Sequence, residues 1–420
     1  MATLHWLGIA KAVSQVTTIQ VTAYDAATTY DILVNGVVVA TTIAAGTIND
    51  TATALQTDWE AERTANNPYA VGITATVATD TITLTGTAGL PFTVTSADTG
   101  GTGTIGAPST TTAATGPNFW DDAANWSTGS APVNNDDVII ANSSVSILFG
   151  LTTGVDLDSL TVEQTFTGKI GLPLNGVTQS ADGETVDTTA TEYRDTYLQV
   201  GADVLHIGKH NGPGNPTGSG RIKIDNDQAA ASDTVIFNTA AAGVDVGLPA
   251  VRLKLNHANA DVFVRQAPGG VGVGVDEPGE TSTMGTIYTS DDSGPISLFT
   301  GPGVTVGGLV ASGGDLTIDG ASTVSSMTVN SGDVTIEGAY TVTTLTVNGG
   351  FVTPNNTSGG NAITTLNING GEVRGNSSTE ARTWATVNLD GGSLVVDDAV
   401  VTITTFDQPA GHKRMEVSAG

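Results

Sequence analysis

The side chains able to do chemistry in this sequence are few and scattered. Its 420 residues include five histidines, no cysteine, and 42 acidic side chains against 14 lysines and arginines. Without cysteine there is no disulfide, no thiolate metal site and no thiol nucleophile. His206 and His210 are four apart, the spacing of a metal pair on a helix. Here a strand and a Gly/Pro-rich loop carry them, and that spacing does not converge on one ion. Asp315, Asp333 and Glu372 recur just after successive turns and so stack along one edge. Like charges about 5–10 Å apart repel, which places them in solvent, with an opportunistic calcium ion as the alternative. Asp136-Asp137, Asp291-Asp292 and Glu184 are the carboxylates on offer for polysaccharide cleavage, a reaction that needs two acids facing across a groove. Adjacent residues on a strand point to opposite faces, and Glu184 stands alone. The expectation leans away from an enzyme, with no catalytic, metal-binding or cofactor-binding residue assigned.

The elements that position these residues are set by a repeat. Gly314, Gly332, Gly350, Gly371 and Gly392 fall 18, 18, 21 and 21 residues apart. Three residues before each glycine stand Ala311, Val329, Val347, Ile368 and Leu389; five before stand Leu309, Met327, Leu345, Leu366 and Val387. Eight before come Val306, Val324, Val342, Ile363 and Trp384, and two after come Leu316, Val334, Val352, Val373 and Leu394. A last, partial coil adds Ile403 and Phe406 to these columns. Apolar residues two apart, with Thr, Ser and Asn between, mean short strands with one buried face. A fixed period of this size is the signature of a solenoid. The fold class predicted is mainly β: a small N-terminal α+β domain, then a single-chain parallel β-helix whose coils near the C-terminus are about 18–21 residues long. Two residues before the glycine stand Ser312, Asn330, Asn348, Asn369 and Asp390, which predicts an Asn-Gly corner and a ladder of stacked asparagines.

Composition agrees with this architecture and narrows the partners. Charged residues make up 13 % of the chain and glycine 53 positions, an all-β, loop-rich balance. A net charge of −28 leaves no basic stripe for nucleic acid. No apolar run is long enough to span a membrane as a helix, so no membrane insertion is expected.

In chain order, residues 1–115 read as a β-β-α-β-β domain with a linker. Its strands are predicted over Val16 to Thr22, Tyr30 to Thr42 around an Asn35-Gly36 turn, Val71 to Ala78, Thr81 to Gly86, and Pro91 to Val94. The helix is predicted to start at Thr47, present Ile48, Ala52, Leu55 and Trp59 as one stripe, and stop before Asn67-Pro68. Gly100 to Thr115 reads as the linker. Residues 116–175 read as a first coil capped by Phe119, Trp120 and Trp126, 176–300 as irregular coils with loops, 301–406 as the regular repeats, and 407–420 as a C-terminal cap or tail. Platforms for sugar stacking are scarce in this layout. Trp59 lies on the helix stripe, Trp384 in an inward column, and Trp120 and Trp126 in the cap, which leaves Trp6 and a few tyrosines.

Several segments resemble a family of phage virion proteins of the head-decoration, fibre or tailspike kind. They are the opening Trp6-Leu-Gly-Ile-Ala-Lys-Ala-Val-Ser-Gln-Val, the helix ending in Trp59, Gly89-Leu-Pro-Phe-Thr-Val-Thr and Gly116-Pro-Asn-Phe-Trp-Asp-Asp-Ala-Ala-Asn-Trp-Ser. Phe166-Thr-Gly-Lys-Ile-Gly-Leu-Pro and Glu192-Tyr-Arg-Asp-Thr-Tyr-Leu belong to the same resemblance. The resemblance implies an N-terminal anchoring domain, a β-helical body, a homotrimer, and the major capsid protein or another virion protein as partner. The function expected is a non-enzymatic structural component of a bacteriophage virion, most simply a capsid decoration protein. A tailspike that binds or depolymerises a host surface glycan is the second reading, and a bacterial surface adhesin the third. The opening segment places Lys11 after a short apolar patch, the reverse of a secretory signal. The location expected is therefore the virion, after synthesis in the host cytoplasm.

Overall fold

The computed structural model describes residues 2–43, 45–173, 177–178, 185–186, 196–209, 219–226, 232–245, 247–255, 257–274, 282–289, 296–301, 303–320, 322–355, 362–375, 381–397, 400–408 and 414–418. Alternating Val, Leu, Ile and Thr, broken every few residues by Gly and Asn, cannot extend a helix or a long strand. It yields short strands that pair with their equivalents one coil away. Among the described residues, twenty-three strands form one such sheet, in which strands two apart in sequence pair in parallel through most of the stack. The protein is mainly β: a parallel β-helix with a small N-terminal α+β part.

The registers follow the glycine alignment. Val324 pairs with Val306 and Val342, Met327 with Leu309 and Leu345, and Val329 with Ala311 and Val347. Leu366 and Ile368 continue both columns, and Val334 lies between Leu316 and Val352. All of these side chains are buried in one continuous core. Each regular coil carries a longer strand, such as Thr323–Val329, and a shorter one, such as Asp333–Ile336. Along the longer strand Val324 and Met327 are both buried while Ser325 and Ser326 between them are exposed. The alternation slips by one residue there, so the chain bends and one strand lines two sides of the coil.

The corner chemistry differs in one respect from the Asn-Gly expectation. Positive φ falls on the glycines, with values of 74°, 86°, 74°, 70° and 68° at Gly314, Gly332, Gly350, Gly371 and Gly392. A Cβ on Gly350 would stand 2.2 Å from the carbonyl oxygen of Gly332, so backbone conformation and coil spacing both demand glycine. Asparagine supplies the ladder instead. The Asn348 Nδ2 donates to Asn330 Oδ1 at 2.9 Å and the Asn369 Nδ2 to Asn348 Oδ1 at 2.9 Å. A second ladder joins Asn388 Nδ2 to Asn367 Oδ1 at 2.8 Å.

The Trp384 column shows how one coil accommodates a side chain larger than its neighbours. Trp384 is fully buried where Val324, Val342 and Ile363 stand in other coils. Across the core, the position held by Ile336, Pro354 and Val396 in neighbouring coils is Gly375. A Cβ there would lie 2.8 Å from the indole Cη2. The missing side chain makes the room. At the end of the stack, Ile403 and Phe406 hold the registers of Trp384 and Val387, yet Phe406 is 36 % exposed and Ile403 half-buried. Among the described residues their strand, Val401–Asp407, pairs on one side only.

The N-terminal part matches its predicted elements closely. The helix Ile48–Thr64 is capped by Thr47, whose hydroxyl accepts from the Asp50 N–H at 3.2 Å. Ala52, Leu55 and Trp59 are buried and Ile48 packs beside them; the indole N–H donates to the Ile73 carbonyl at 2.9 Å. Three departures matter, the first being that the strand expected over Pro91 to Val94 lies at Val94–Thr99, paired with Thr29–Val34. The stretch read as a linker contains the strands Thr104–Ile105 and Ser109–Thr112, both paired with Val16–Ala23. Hydroxyl-rich, low-hydrophobicity strands at a sheet edge look like linker because little of them is buried. The first strand, Thr3–His5, lies outside the α+β part: it pairs in parallel with Asp137–Ile139 and starts the β-helix. The chain leaves the solenoid near Val13 and returns at Thr115, where the Val13 N–H donates to the Thr115 carbonyl at 2.9 Å.

Candidate functional site

Among the described residues, those singled out from the sequence do not assemble into one centre. His206 lies on the strand Leu198–Lys209 with its ring edge-on to Phe237, centroids 5.5 Å apart. Burial, and then the Lys209 charge, lower its pKa from the ordinary histidine value. His210, Asp291, Asp292 and Glu184 lie outside the described residues. Asp136 is buried and structural: its carboxylate accepts from the Ala2 N–H and the Val133 N–H, both at 3.0 Å. Asp137 accepts from the Ser159 hydroxyl on the next coil. The pair therefore fastens the first strand and the first corner.

Asp315 and Asp333 stand in register and exposed, as expected, but Phe351 follows them in that column before Glu372. Glu372 pairs with Arg374 and accepts from Ser393 Oγ at 3.0 Å, while the Arg374 guanidinium sits 4.8 Å from the Phe351 ring centre. Asp156, Asp158 and Asp203 form another acidic group on adjacent coils; burial, then the charges of Asp203 and Asp158, raise the Asp156 pKa. Among the described residues no three His, Asp or Glu side chains are arranged to hold a metal ion.

Two clusters were not anticipated. The first is cationic and buried. Lys223 pairs with Arg252, and Asp225 with Lys254, on the short strands Ile222–Asp225 and Val251–Lys254. Arg221, Lys223 and Arg252 are inaccessible to solvent. The Asp245 carboxylate accepts from Arg221 Nη1 at 3.1 Å and also binds Arg252. Burial acts to raise the Asp245 pKa, but the Arg252 and Arg221 guanidinia hold it below the usual carboxylate value. The ammonium groups of Lys223 and Lys254 lie 4.5 and 4.6 Å from the centre of the Tyr197 ring. The sequence signal was present in the alternation Ile222-Lys-Ile-Asp and Val251-Arg-Leu-Lys. The 29-residue offset between them lies outside the 18–21 period, which hid the register.

The second cluster is aromatic and open. On the outer wall, Val235, Phe263, Tyr288, Val310, Thr328, Thr346, Asn367 and Asn388 succeed one another in register. The Phe263 and Tyr288 rings stack with centroids 4.9 Å apart and planes at 10°. Beside them Arg265 lies over the Phe237 ring at 5.1 Å. Val235, Phe263, Val264, Arg265, Tyr288 and Thr289 line a recess of about 360 Å³. Trp6, the tryptophan left over by the sequence reading, offers no platform either, because its indole is buried against Trp126 with centroids 5.2 Å apart. Trp126 in turn packs edge-on against Trp120 at 4.7 Å. No protein family, curated protein or solved structure is found to match this chain.

Proposed function

We propose that this protein is a non-enzymatic structural component of a bacteriophage virion, in which the α+β part attaches to the particle and the β-helix projects from it. The observation that carries the reading is the layout: a compact α+β unit grafted through two adjacent strands of chain onto the first coil of a long stacked core. A solenoid of this kind is stiff, because each coil is held by neighbours on both sides, and stiffness suits a projecting element. The carboxylates proposed for glycan cleavage that fall among the described residues, Asp136 and Asp137, are occupied in fastening backbone and coils. That favours a structural role over a depolymerase. Head decoration is the form favoured, with a homotrimer as its assembly and the major capsid protein as its partner.

Antibody labelling of the native particle, viewed by electron microscopy, tests the proposal. Label distributed over the capsid is expected. Label confined to the tail would overturn the decoration form, and particles without label would overturn the virion reading altogether. Sedimentation of the purified chain tests the trimer separately.

A further inference from the structure

We propose that the helix Ile48–Thr64 is a guard that keeps two sheet edges of the α+β part from pairing with a second copy of the chain. This goes beyond the virion reading and does not depend on it. Among the described residues, Val37–Ile43 stands at one end of a three-stranded sheet and Ile73–Ala78 at one end of a five-stranded sheet. The two edges read Val37-Val-Val-Ala-Thr-Thr-Ile and Ile73-Thr-Ala-Thr-Val-Ala. Neither holds a charge or a proline, two of the devices that usually blunt an edge strand. Val37, Val38 and Ile43 are moreover exposed on the first edge. Short, uncharged, β-forming segments of this kind pair with copies of themselves, which makes a second copy the partner that fits.

The helix closes both edges with its side chains. Along an antiparallel edge strand every second residue turns its N–H and C=O outward, and these are the groups that a further strand takes. On Ile73–Ala78 they are already engaged. The Ala75 N–H donates to Glu60 Oε1 at 2.7 Å, and the Ala75 carbonyl accepts from Gln56 Nε2 at 3.2 Å. Gln56 and Glu60 are four apart and lie one above the other on the helix, so they offer a donor and an acceptor as a neighbouring strand does. The Ile73 carbonyl accepts from Trp59 Nε1 at 2.9 Å, and the Ile73 N–H donates to the Ala70 carbonyl at 2.9 Å. On the other edge the Thr41 N–H donates to Asp58 Oδ2 at 2.8 Å. Asp58 is two residues from both Gln56 and Glu60, about 200° around the helix, so one helix reaches two edges. Its apolar stripe of Ala52, Leu55 and Trp59 is buried independently of Gln56, Asp58 and Glu60, which makes the guarding contacts separable from the fold.

The test uses the full chain carrying Gln56→Ala, Asp58→Ala and Glu60→Ala together, changes that spare the apolar stripe and suit a helix. In dilute solution the Thr41 and Ala75 amides should exchange about tenfold faster than in the wild type, since each loses a charge-assisted hydrogen bond. As concentration rises those amides should regain protection, while sedimentation shows more assembly than the wild type at the same concentration. Adding Val38→Lys and Thr76→Lys, both at exposed edge positions, should remove the extra assembly. Glu60→Gln alone, whose amide oxygen still accepts, should leave Ala75 as protected as in the wild type. If thermal melting shows the triple variant unfolded, Asp58→Ala and Glu60→Ala are read separately at Thr41 and Ala75. Unchanged exchange at both amides, assembly no greater than wild type in a folded variant, or extra assembly that persists with both lysines would overturn the proposal.

Discussion

At the scale of single residues, position within a column decides what a substitution costs. Val347 is buried between Val329 and Ile368, whereas Thr346 beside it is half-buried on the outer wall. Val347→Asp should cost several kcal/mol by burying an unpaired carboxylate, and Thr346→Asp less than about 1 kcal/mol. Hydrogen exchange should show lost protection centred on the coils of Val329 and Ile368 for the first variant only. Equal damage from both would refute the inward assignment. Charge pairs follow a different logic. The Asp245 pKa is depressed in the folded protein, so the group stabilises the fold at pH above the ordinary carboxylate value. That contribution is lost as pH falls through the depressed folded value. Asp245→Asn should therefore lower stability by about 3 kcal/mol at neutral pH. The deficit should shrink on acidification, measured as the gap between thermal melts of variant and wild type at each pH.

At the scale of the element, one coil is a packing problem solved jointly by facing positions. Trp384 and Gly375 form a large–small pair where other coils set medium side chains against one another. Gly375→Val should cost about 1–3 kcal/mol by overpacking, and Trp384→Val about 3 kcal/mol by leaving a cavity. Because each substitution corrects the defect of the other, the double variant should be more stable than the sum predicts, with a coupling above roughly 1 kcal/mol. Denaturant unfolding of the four proteins checks it, and additive effects would mean that the indole does not depend on the glycine for its space. The Trp384 Nε1 is buried with no hydrogen-bond partner among the described residues, so removing it offsets part of the loss in Trp384→Val, alone and in the double variant alike.

At the scale of the whole molecule, the α+β part is an insertion rather than a leading domain. Thr3–His5 already belongs to the β-helix, and the Val13–Thr115 contact brings the two ends of the insertion together. Excising residues 14–114 and closing the gap with a short glycine linker should leave the solenoid folded, because the closed ends are already neighbours and the loop entropy is small. Deleting residues 2–6 instead should leave Asp137–Ile139 paired on one edge only, with the next coil, and uncover the face of Trp126 that now packs on Trp6. Thermal melting and tryptophan fluorescence separate the two outcomes. A solenoid that collapses on excision, or is indifferent to loss of residues 2–6, would refute this organisation.

The amino-acid sequence by itself determined the solenoid. Strict recurrence of glycine and of four apolar columns leaves few other ways to bury Val329, Val347 and Ile368 together, since one coil cannot cover its own apolar face. The helix Ile48–Thr64 was equally legible, because a cap and an apolar stripe at helical spacing are local signals. Tertiary structure decided what depends on partners distant in sequence. Thr3–His5 reads as one more short polar-apolar segment until Asp137–Ile140 pairs with it from more than a hundred residues away. The buried cations at Lys223 and Arg252, and the aromatic wall of Phe263 and Tyr288, arise where coil lengths depart from the repeat. No periodicity tells which residues stand side by side there. Register across irregular coils is fixed by loop length and core packing, and it is register that turns scattered Phe, Tyr and Arg into a surface.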